Sequence, residues 1–282
     1  MAGEWTWMAG EVRFHILRPL AVEAGGRQIA ISGKPRLLLA TLLLRAGTPV
    51  TLDRLADILW GHQLPRNVRP AIHTLVCRLR AAVGDDHELV QRTPAGYRID
   101  LATDRLDLLE FRRLLAAAAA ASDQRRELEL LTEALGHWYD GALTGFDSDQ
   151  LEREDLAALG EVRLTALERR IELELQLGGG TELLAELRQV VAEHPLRERL
   201  WAYLIRALSQ GSRQSDALAA YREVRGVLAE QLGIAPGREL RDAHETVLRG
   251  HSTRRNRADR AAMRCQARPQ APRQGMPLSG RR

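Results

Sequence analysis

Basic side chains recur at helical spacing between Arg66 and Val83, and they border a strip of small residues. At about 100° per residue, Ile72, Val76 and Leu79 fall on one face of a helix, where they can pack on a core. The opposite strip can approach base edges in a major groove while the arginines reach phosphates or a guanine. The candidate DNA-contacting residues of this helix are Arg66, Arg69, Pro70, His73, Thr74, Cys77, Arg78 and Arg80.

The same pattern also fits an amphipathic helix whose polar face is only solvated. His73 fits either a base-reading role or a solvated position on the helix surface. Pro70 lies in the first helical turn, where its missing backbone N–H would have no partner in any case. The interpretation therefore depends on the elements that flank the helix.

Helix boundaries on the N-terminal side predict a helix-turn-helix. Gly47 and Gly61 follow two apolar periodic stretches, and both are typical stop signals. Thr51 and Asn67 precede the second and third helices, as N-cap residues do. The predicted helices are Lys34–Arg45, Leu52–Trp60 and about Val68–Val83.

Strands are predicted on both sides of the three helices. The alternating residues Val12–Leu17 predict a first strand, and the turn Gly25-Gly26 predicts a hairpin between Leu20–Ala24 and Arg27–Ile31. A second hairpin runs from Leu89–Gln91 through Pro94-Ala95-Gly96 to Tyr97–Leu101. The order of sheet, three helices and hairpin is that of a winged helix-turn-helix, with the third helix as the recognition helix.

The second hairpin would form the wing, which can donate to phosphates or enter the minor groove. Gly96 makes its turn, and Tyr97 is expected to pack inward. Trp60 fits a core anchor for the second helix or an indole donor to a phosphate. The candidate wing and backbone contacts are Trp60, Gln91, Arg92, Thr93 and Arg98.

Beyond the second hairpin the strand signals stop and amphipathic helices are predicted up to residue 250. An internal repeat with an offset of 33 residues aligns Ile171–Val191 with Leu204–Val224. The second copy has tetratricopeptide spacing, in which small Ala217 lets two helices approach while Trp201 and Tyr221 fill between them.

Charge divides the chain into the same parts. Residues 1–103 carry 13 basic and 9 acidic side chains, whereas residues 104–250 carry 19 and 27. Residues 251–282 have nine arginines and one acid, are rich in Pro and Gln, and are predicted to be disordered. This tail fits a solubilising end or an arm that binds phosphates. The asymmetry favours a basic nucleic-acid module joined to an acidic partner-binding module.

Several function classes lack support in the sequence. No apolar run approaches the roughly 20 residues of a membrane span, and the N-terminus does not resemble a signal peptide, so we expect a cytoplasmic protein. Cys77 and Cys265 have no metal-ligand spacing and are expected to be reduced thiols. No catalytic motif stands out among the histidines and acids, so we expect no enzyme, no metal and no cofactor.

The motifs resemble two known domain families. An OmpR/PhoB-type winged helix is indicated by Leu52-Asp53-Arg54-Leu55, Leu59-Trp60-Gly61, Arg78-Leu79-Arg80-Ala81-Ala82-Val83-Gly84 and Pro94-Ala95-Gly96-Tyr97. The bacterial transcriptional activator domain is indicated by Glu193-His194-Pro195-Leu196-Arg197-Glu198-Arg199-Leu200-Trp201 and Glu230-Gln231-Leu232-Gly233-Ile234-Ala235-Pro236-Gly237. In this order and size, the combination resembles the small Streptomyces antibiotic regulatory proteins.

This resemblance implies a transcription activator of antibiotic biosynthesis genes. Such a protein would bind direct repeats near a −35 element as two or more protomers. It would then recruit RNA polymerase holoenzyme through the sigma factor and the alpha subunit. In the winged-helix family, positions in or near the groove correspond to Arg69, Thr74, Arg78 and Arg80, and wing positions correspond to Gln91 and Thr93.

The predicted fold is mainly α with a small β component: a winged helix-turn-helix followed by a helical, tetratricopeptide-like domain. The expected domains are residues 1–103, residues 104–250 and the tail 251–282, and the first is expected to fold alone. Two alternatives stay open. One is a helical-repeat scaffold that binds only proteins, and the other is a repressor with the same DNA-binding domain.

Overall fold

The computed structural model describes residues 12–84, 89–139 and 141–249. The chain divides into two compact units between Leu173 and Glu174. In the first unit, residues 104–173 pack together with the winged helix. The domain boundary at residues 103 and 104 stays a prediction. The predicted disorder of the tail concerns residues outside the described ranges.

The first sheet confirms the predicted N-terminal strands. Phe14 pairs with Val22 across the first two strands, and both side chains are buried. Gly25 and Gly26 have positive φ angles of 56° and 75°, which a tight turn between adjacent strands requires. The antiparallel strands lie in chain order: β1 (Val12–His15), β2 (Ala21–Ala24) and β3 (Arg27–Ile29).

The three predicted helices are present with boundaries within one residue of the prediction. Thr51 caps the second helix as predicted, because its Oγ1 accepts the N–H of Arg54 at 3.2 Å. Asn67 holds the N-cap position of the third helix, but its side chain makes no capping bond. The helices are α1 (Gly33–Leu44), α2 (Leu52–Trp60) and α3 (Val68–Val83).

The second sheet has a strand that the sequence did not predict. Val50 and Thr51, of which only Thr51 has a predicted role, as the N-cap of the second helix, form a short strand that pairs with Tyr97 and Gly96. A Cβ at Gly96 would lie 1.9 Å from the Val50 carbonyl oxygen, so only glycine fits there. The strands are β4 (Val50–Thr51), β5 (Val90–Thr93) and β6 (Gly96–Ile99), in the order β4-β6-β5.

The rest of the first unit is helical and shares one apolar core with the winged helix. Phe14, Ile16, Leu106 and Phe111 belong to the same buried cluster. The Asp107 carboxylate also accepts the backbone N–H groups of Ile16 at 2.9 Å and of Leu17 at 3.1 Å. The elements are a 3-10 turn (Thr103–Arg105), α4 (Asp107–Ala119), α5 (Gln124–Gly136), α6 (Asp149–Leu151), a π-helical turn (Glu152–Leu156) and α7 (Ala157–Gln176).

The second unit is built from helices that bury the repeated apolar positions. Leu204, Leu208, Ala217 and Val224 are all at most 4% exposed, as the repeat predicts. Tyr221, predicted to fill between the helices of a repeat, is half-buried, and its ring stacks on His244 at 3.9 Å. The helices that follow α7 are α8 (Leu184–Glu193), α9 (Glu198–Gln210), α10 (Gln214–Leu232) and α11 (residues 238–249).

Candidate nucleic-acid interface

Helix α3 has the orientation that its sequence predicts. Ile72, Val76, Leu79 and Val83 are at most 5% exposed, and Leu75 lies beside them. The apolar spacing therefore fixes which side of the helix faces outward. The candidate residues on the exposed side are Arg66, Arg69, Pro70, His73, Thr74, Cys77 and Arg78.

Four arginines of this surface are exposed and have no side-chain partner in the described residues. Arg66, Arg69 and Arg78 lie on or just before α3, and Arg92 lies in β5. None of them makes a hydrogen bond or ion pair within the described part of the chain. Each guanidinium therefore keeps five donors in a planar fork, the geometry that suits a phosphate or the O6/N7 edge of a guanine.

The strip between these arginines is small and mostly uncharged. The Thr74 hydroxyl donates to the Pro70 carbonyl oxygen at 2.9 Å, and the Thr74 side chain is exposed. Pro70 is the third residue of α3, so its ring does not interrupt the helix. Such a strip permits close approach of the helix to base edges.

His73 lies between two partners of its own molecule. Its Nδ1 is 3.5 Å from the Tyr97 hydroxyl, and its Nε2 is 3.7 Å from the Cys77 sulfur. Tyr97 is 4% exposed, as the predicted inward packing requires. These contacts orient the imidazole but leave both interpretations of His73 open, because the side chain is exposed.

Arg80 has a different position from the other arginines of α3. It is half-buried, and its Nε donates to the Val90 carbonyl oxygen at 3.2 Å, with Nη2 bonded to the same oxygen. Arg80 thereby joins the recognition helix to β5 of the wing. The sequence pattern placed Arg80 with the groove arginines, but it could not show that the wing strand comes within reach of this side chain.

The predicted wing residues also fall into two groups: those whose side chains bond within the hairpin, and one that is exposed. Arg98 donates to Gln91 Oε1 at 3.0 Å and pairs with Asp100 at 2.7 Å. Thr93 Oγ1 accepts the N–H of Gly96 at 3.1 Å and so closes the turn. Of the four predicted wing residues, Arg92 is the one whose side chain has no hydrogen-bond or ion-pair partner within the described residues.

Trp60 packs against the core of the first unit and is half-buried. The Lys34 ammonium lies 5.5 Å from the centre of its ring and is hydrogen-bonded to the Leu59 carbonyl oxygen. These contacts are those of a residue that anchors the end of α2. A phosphate contact by its indole N–H stays a prediction.

Sequence analysis missed an ion-pair cluster behind the helix-turn-helix. Asp155 of the π-helical turn accepts hydrogen bonds from Arg45 and Arg54, at 2.7 Å and 3.1 Å. Burial by itself lowers the pKa of Arg54, but the hydrogen bonds and charges of Glu154 and Asp155 outweigh burial, and the pKa is raised. The partners are about a hundred residues apart in sequence, so no local pattern signals the pairing.

The two motifs of the helical domain meet in the structure. Glu198 accepts the backbone N–H of Gly237, and Trp201 Nε1 donates to the Pro195 carbonyl oxygen at 2.9 Å. A Cβ at Gly237 would approach the Glu198 carboxylate to 3.1 Å. These residues hold the loop after α10 against α9, so their role is structural.

Two further properties concern the described residues as a whole. Among their helices, none combines the length and the apolar character that crossing a membrane needs. Within the same residues, no group of three or more His, Cys, Asp or Glu side chains is placed to hold a metal ion.

Family models match both parts of the chain. The model of the bacterial transcriptional activator domain matches residues 106–248. A model described as "Transcriptional regulatory protein, C terminal" matches residues 26–99, which include α1, α2, α3 and the wing.

Several full-length relatives are similar to this chain. Regulatory protein AfsR of Streptomyces griseus is 36% identical over 90% of this chain, although the match spans only 26% of AfsR. Regulatory protein DnrI of Streptomyces peucetius is 32% identical over 84% of this chain and 92% of its own length. Transcriptional regulatory protein EmbR of Mycobacterium tuberculosis is 35% identical over 88% of this chain and 66% of EmbR.

One solved structure has the same fold. Mycobacterium tuberculosis EmbR, in complex with a low-affinity phosphopeptide, superimposes with a TM-score of 0.78 at 34% sequence identity. The match covers 86% of this chain and 66% of that chain.

The fold and the family models together define a winged-helix regulator of transcription with a helical domain that follows it in the chain. The chain belongs to the Streptomyces antibiotic regulatory protein family.

Proposed function

We propose that the protein binds double-stranded promoter DNA at specific sequences and activates transcription there. Helix α3 would enter the major groove, and the hairpin β5–β6 would contact the neighbouring backbone. This activity requires no cofactor and no catalytic step. We place it in the cytoplasm, where bacterial promoters are found.

The arrangement of arginines on one outward face carries this proposal. Arg69 and Arg78 border a strip formed by Pro70 and Thr74, and all four are exposed. Neither Arg69 nor Arg78 is held by an acidic partner within the described residues, so neither guanidinium is used to stabilise the fold there. Phosphates and guanine edges provide the acceptors that these arginines lack within the described part of the chain.

The finer parts of the proposal follow from family membership. We infer that two or more protomers bind direct repeats near a −35 element and recruit RNA polymerase holoenzyme through the sigma factor and the alpha subunit. The regulated genes would be those of an antibiotic or another secondary metabolite. The regulatory names of AfsR, DnrI and EmbR support regulation of transcription, but they do not specify the DNA sequence.

Selection from a random pool of duplexes by the full-length protein tests DNA recognition. We expect enrichment of one sequence present in two direct copies. This enriched sequence is called the selected duplex, and its shuffled version is called the scrambled duplex. For substitutions of arginines in the interface, Arg125→Ala is the matched control, since Arg125 is an exposed arginine of α5 without a partner in the described residues. Absence of any enriched sequence would favour a scaffold that binds only proteins.

Transcription in vitro tests the direction of regulation. The template carries the selected duplex beside the −35 element of a weak promoter, and purified holoenzyme is present. We expect transcript to increase with added protein, and only on this template. A decrease would identify a repressor with the same DNA-binding domain.

A further inference from the structure

A carboxylate of the helical part bridges two arginines of the helix-turn-helix. Asp155 Oδ1 is 2.7 Å from Arg45 Nη2 and 2.9 Å from Arg45 Nε, while Oδ2 is 3.1 Å from Arg54 Nη2. Arg45 directly follows α1, and Arg54 lies in the first turn of α2. One side chain thus links the end of the first helix to the beginning of the second.

We propose that Asp155 is a positioning residue for sequence-specific DNA binding, and that it acts by fixing α2 relative to α1. This inference rests on the proposed function. Asp155 itself does not contact DNA in this proposal. It holds α1 and α2, on which the recognition helix packs, in a fixed relative position. That position determines where Arg69, Thr74 and Arg78 meet the bases.

The burial of this cluster distinguishes it from a surface ion pair. The Asp155 side chain is 12% exposed and Arg54 is 18% exposed, whereas Glu154, which also contacts Arg54, is 49% exposed. Solvent screens the Glu154 contact strongly and the Asp155 contacts weakly. Loss of the Asp155 charge would leave Arg54 largely buried with one well-hydrated partner, so the first turn of α2 would lose its charged link to the end of α1.

The backbone around Asp155 is shaped for this contact. Residues Glu152–Leu156 form a π-helical turn, which has more residues per turn than an α-helix. Neighbouring side chains are therefore rotated apart by a smaller angle, and Glu154 and Asp155 both reach Arg54. Such turns occur frequently at functional sites.

Helix α3 depends on the helices that this cluster joins. It packs on both α1 and α2, and among the described elements these two make the largest contacts with it. The C-terminal end of α2 has a separate anchor, since Ser148 Oγ donates to the Ile58 carbonyl oxygen at 2.8 Å. If the Asp155 contact is lost, α2 can pivot about this remaining anchor and shift the surface that supports α3.

The test compares three isosteric substitutions in the full-length protein. Asp155→Asn removes the bridging charge, and Glu154→Gln removes the exposed contact with Arg54. Glu152→Gln changes the same charge on the same turn at an exposed residue without a partner in the described residues. The dissociation constants for the selected and scrambled duplexes are measured for each variant.

Asp155→Asn should weaken binding to the selected duplex by roughly three- to thirty-fold, the range typical of residues that act on a site through others. Binding to the scrambled duplex should change by less than about two-fold, because phosphate contacts tolerate a shifted helix better than base contacts do. Glu152→Gln and Glu154→Gln should leave the ratio of the two constants unchanged. Asp155→Glu should restore much of the ratio.

A merely structural role predicts a different result. Partial unfolding reduces the active fraction equally for both duplexes, so the ratio would stay constant, and that outcome would overturn the inference. A double-mutant cycle adds a second criterion, since Arg54→Gln should cost little in the Asp155→Asn background. Additive losses would also overturn it.

If the wild-type protein selects no sequence at all, the proposed function itself fails. That outcome is distinct from an unchanged ratio of dissociation constants in a protein that does select a sequence.

Discussion

Two exposed arginines of α3 and the two arginines bound by Asp155 have the same charge but opposite surroundings. Arg69 and Arg78 are exposed and have no partner within the described residues. Arg45 and Arg54 share the carboxylate of Asp155. An arginine with an acidic partner serves the fold, whereas an exposed one without a partner is available to another molecule.

Arg80 shows why this distinction matters within a single helix. It lies two residues after Arg78, yet its guanidinium is bonded to the Val90 carbonyl oxygen and joins α3 to β5. Helical spacing places both arginines near the polar face of α3. Their roles differ because β5 lies within reach of Arg80, which bonds to it, whereas Arg78 has no such partner in the described residues. Substitutions at the two positions should therefore have different signatures.

The largest effect concerns the division of the chain. Ending the chain at residue 103 removes Leu106 and Phe111 from the core that contains Phe14, and each large core side chain lost costs about 2–5 kcal/mol. A total stability of about 5–15 kcal/mol does not tolerate several such losses. We expect fragment 1–103 to lose its cooperative thermal transition, measured by circular dichroism, whereas fragment 1–176 keeps one.

This expectation changes the boundary of the independently folding part from residue 103 to the end of α7. A control is the melting curve of the full-length protein, in which the transition of fragment 1–176 should be recognisable. A cooperative transition of fragment 1–103 at the same midpoint as that of fragment 1–176 would show that the shared core is dispensable.

A smaller effect is expected at the outward face of α3. Arg78→Ala should weaken binding to the selected duplex by about 1–3 kcal/mol, because a bidentate contact to a base edge is lost. Binding to the scrambled duplex should change much less, and the thermal midpoint should not change, since Arg78 has no partner in the described residues. Competition binding with both duplexes measures the first two quantities, with Arg125→Ala as the control.

Thr74→Ala tests the same face without a change of charge. It should also reduce preference for the selected duplex, by about 1–3 kcal/mol. If both substitutions leave affinity and sequence preference intact, the assignment of this face to the major groove is wrong.

Arg80→Ala should act mainly on the protein itself. Its removal leaves the Val90 carbonyl oxygen without two of its hydrogen bonds, and we expect the free energy of unfolding to fall by about 1–3 kcal/mol. Affinity should decrease equally for the selected and scrambled duplexes, because the wing is displaced but no base contact is lost. Urea unfolding and binding titrations measure the two effects. A loss confined to the selected duplex would place Arg80 among the base-reading residues.

The local pattern of the sequence predicted which residues form the helices and how α3 is oriented. Apolar spacing determines the buried face of α3, and Thr51 and Gly61 determine where α2 begins and ends. These features depend on residues a few positions apart, so a sequence pattern contains them.

Contacts between distant segments could not be predicted in the same way. The Val50–Tyr97 pairing is short and carries no alternation, so β4 was not expected. The contacts of Asp155 with Arg45 and Arg54 join residues 110 and 101 positions apart. The sequence contains many other arginines and acids, and charge alone does not select which of them meet.

The smallest effect distinguishes the wing arginine from the arginines of the recognition helix. Arg92 is exposed on β5 and has no partner within the described residues, so we expect its guanidinium to contact one phosphate. Each phosphate contact contributes about −0.9 to the slope of log K against log salt concentration. Arg92→Ala should therefore make this slope shallower by about one unit on the selected and scrambled duplexes alike, with little change in their ratio. Arg125→Ala, which alters the net charge equally, should leave the slope unchanged.

An identical slope for Arg92→Ala and the wild-type protein would mean that the wing does not reach the DNA backbone through this residue. A loss of sequence preference would mean instead that Arg92 enters a groove, as Arg78 is expected to do.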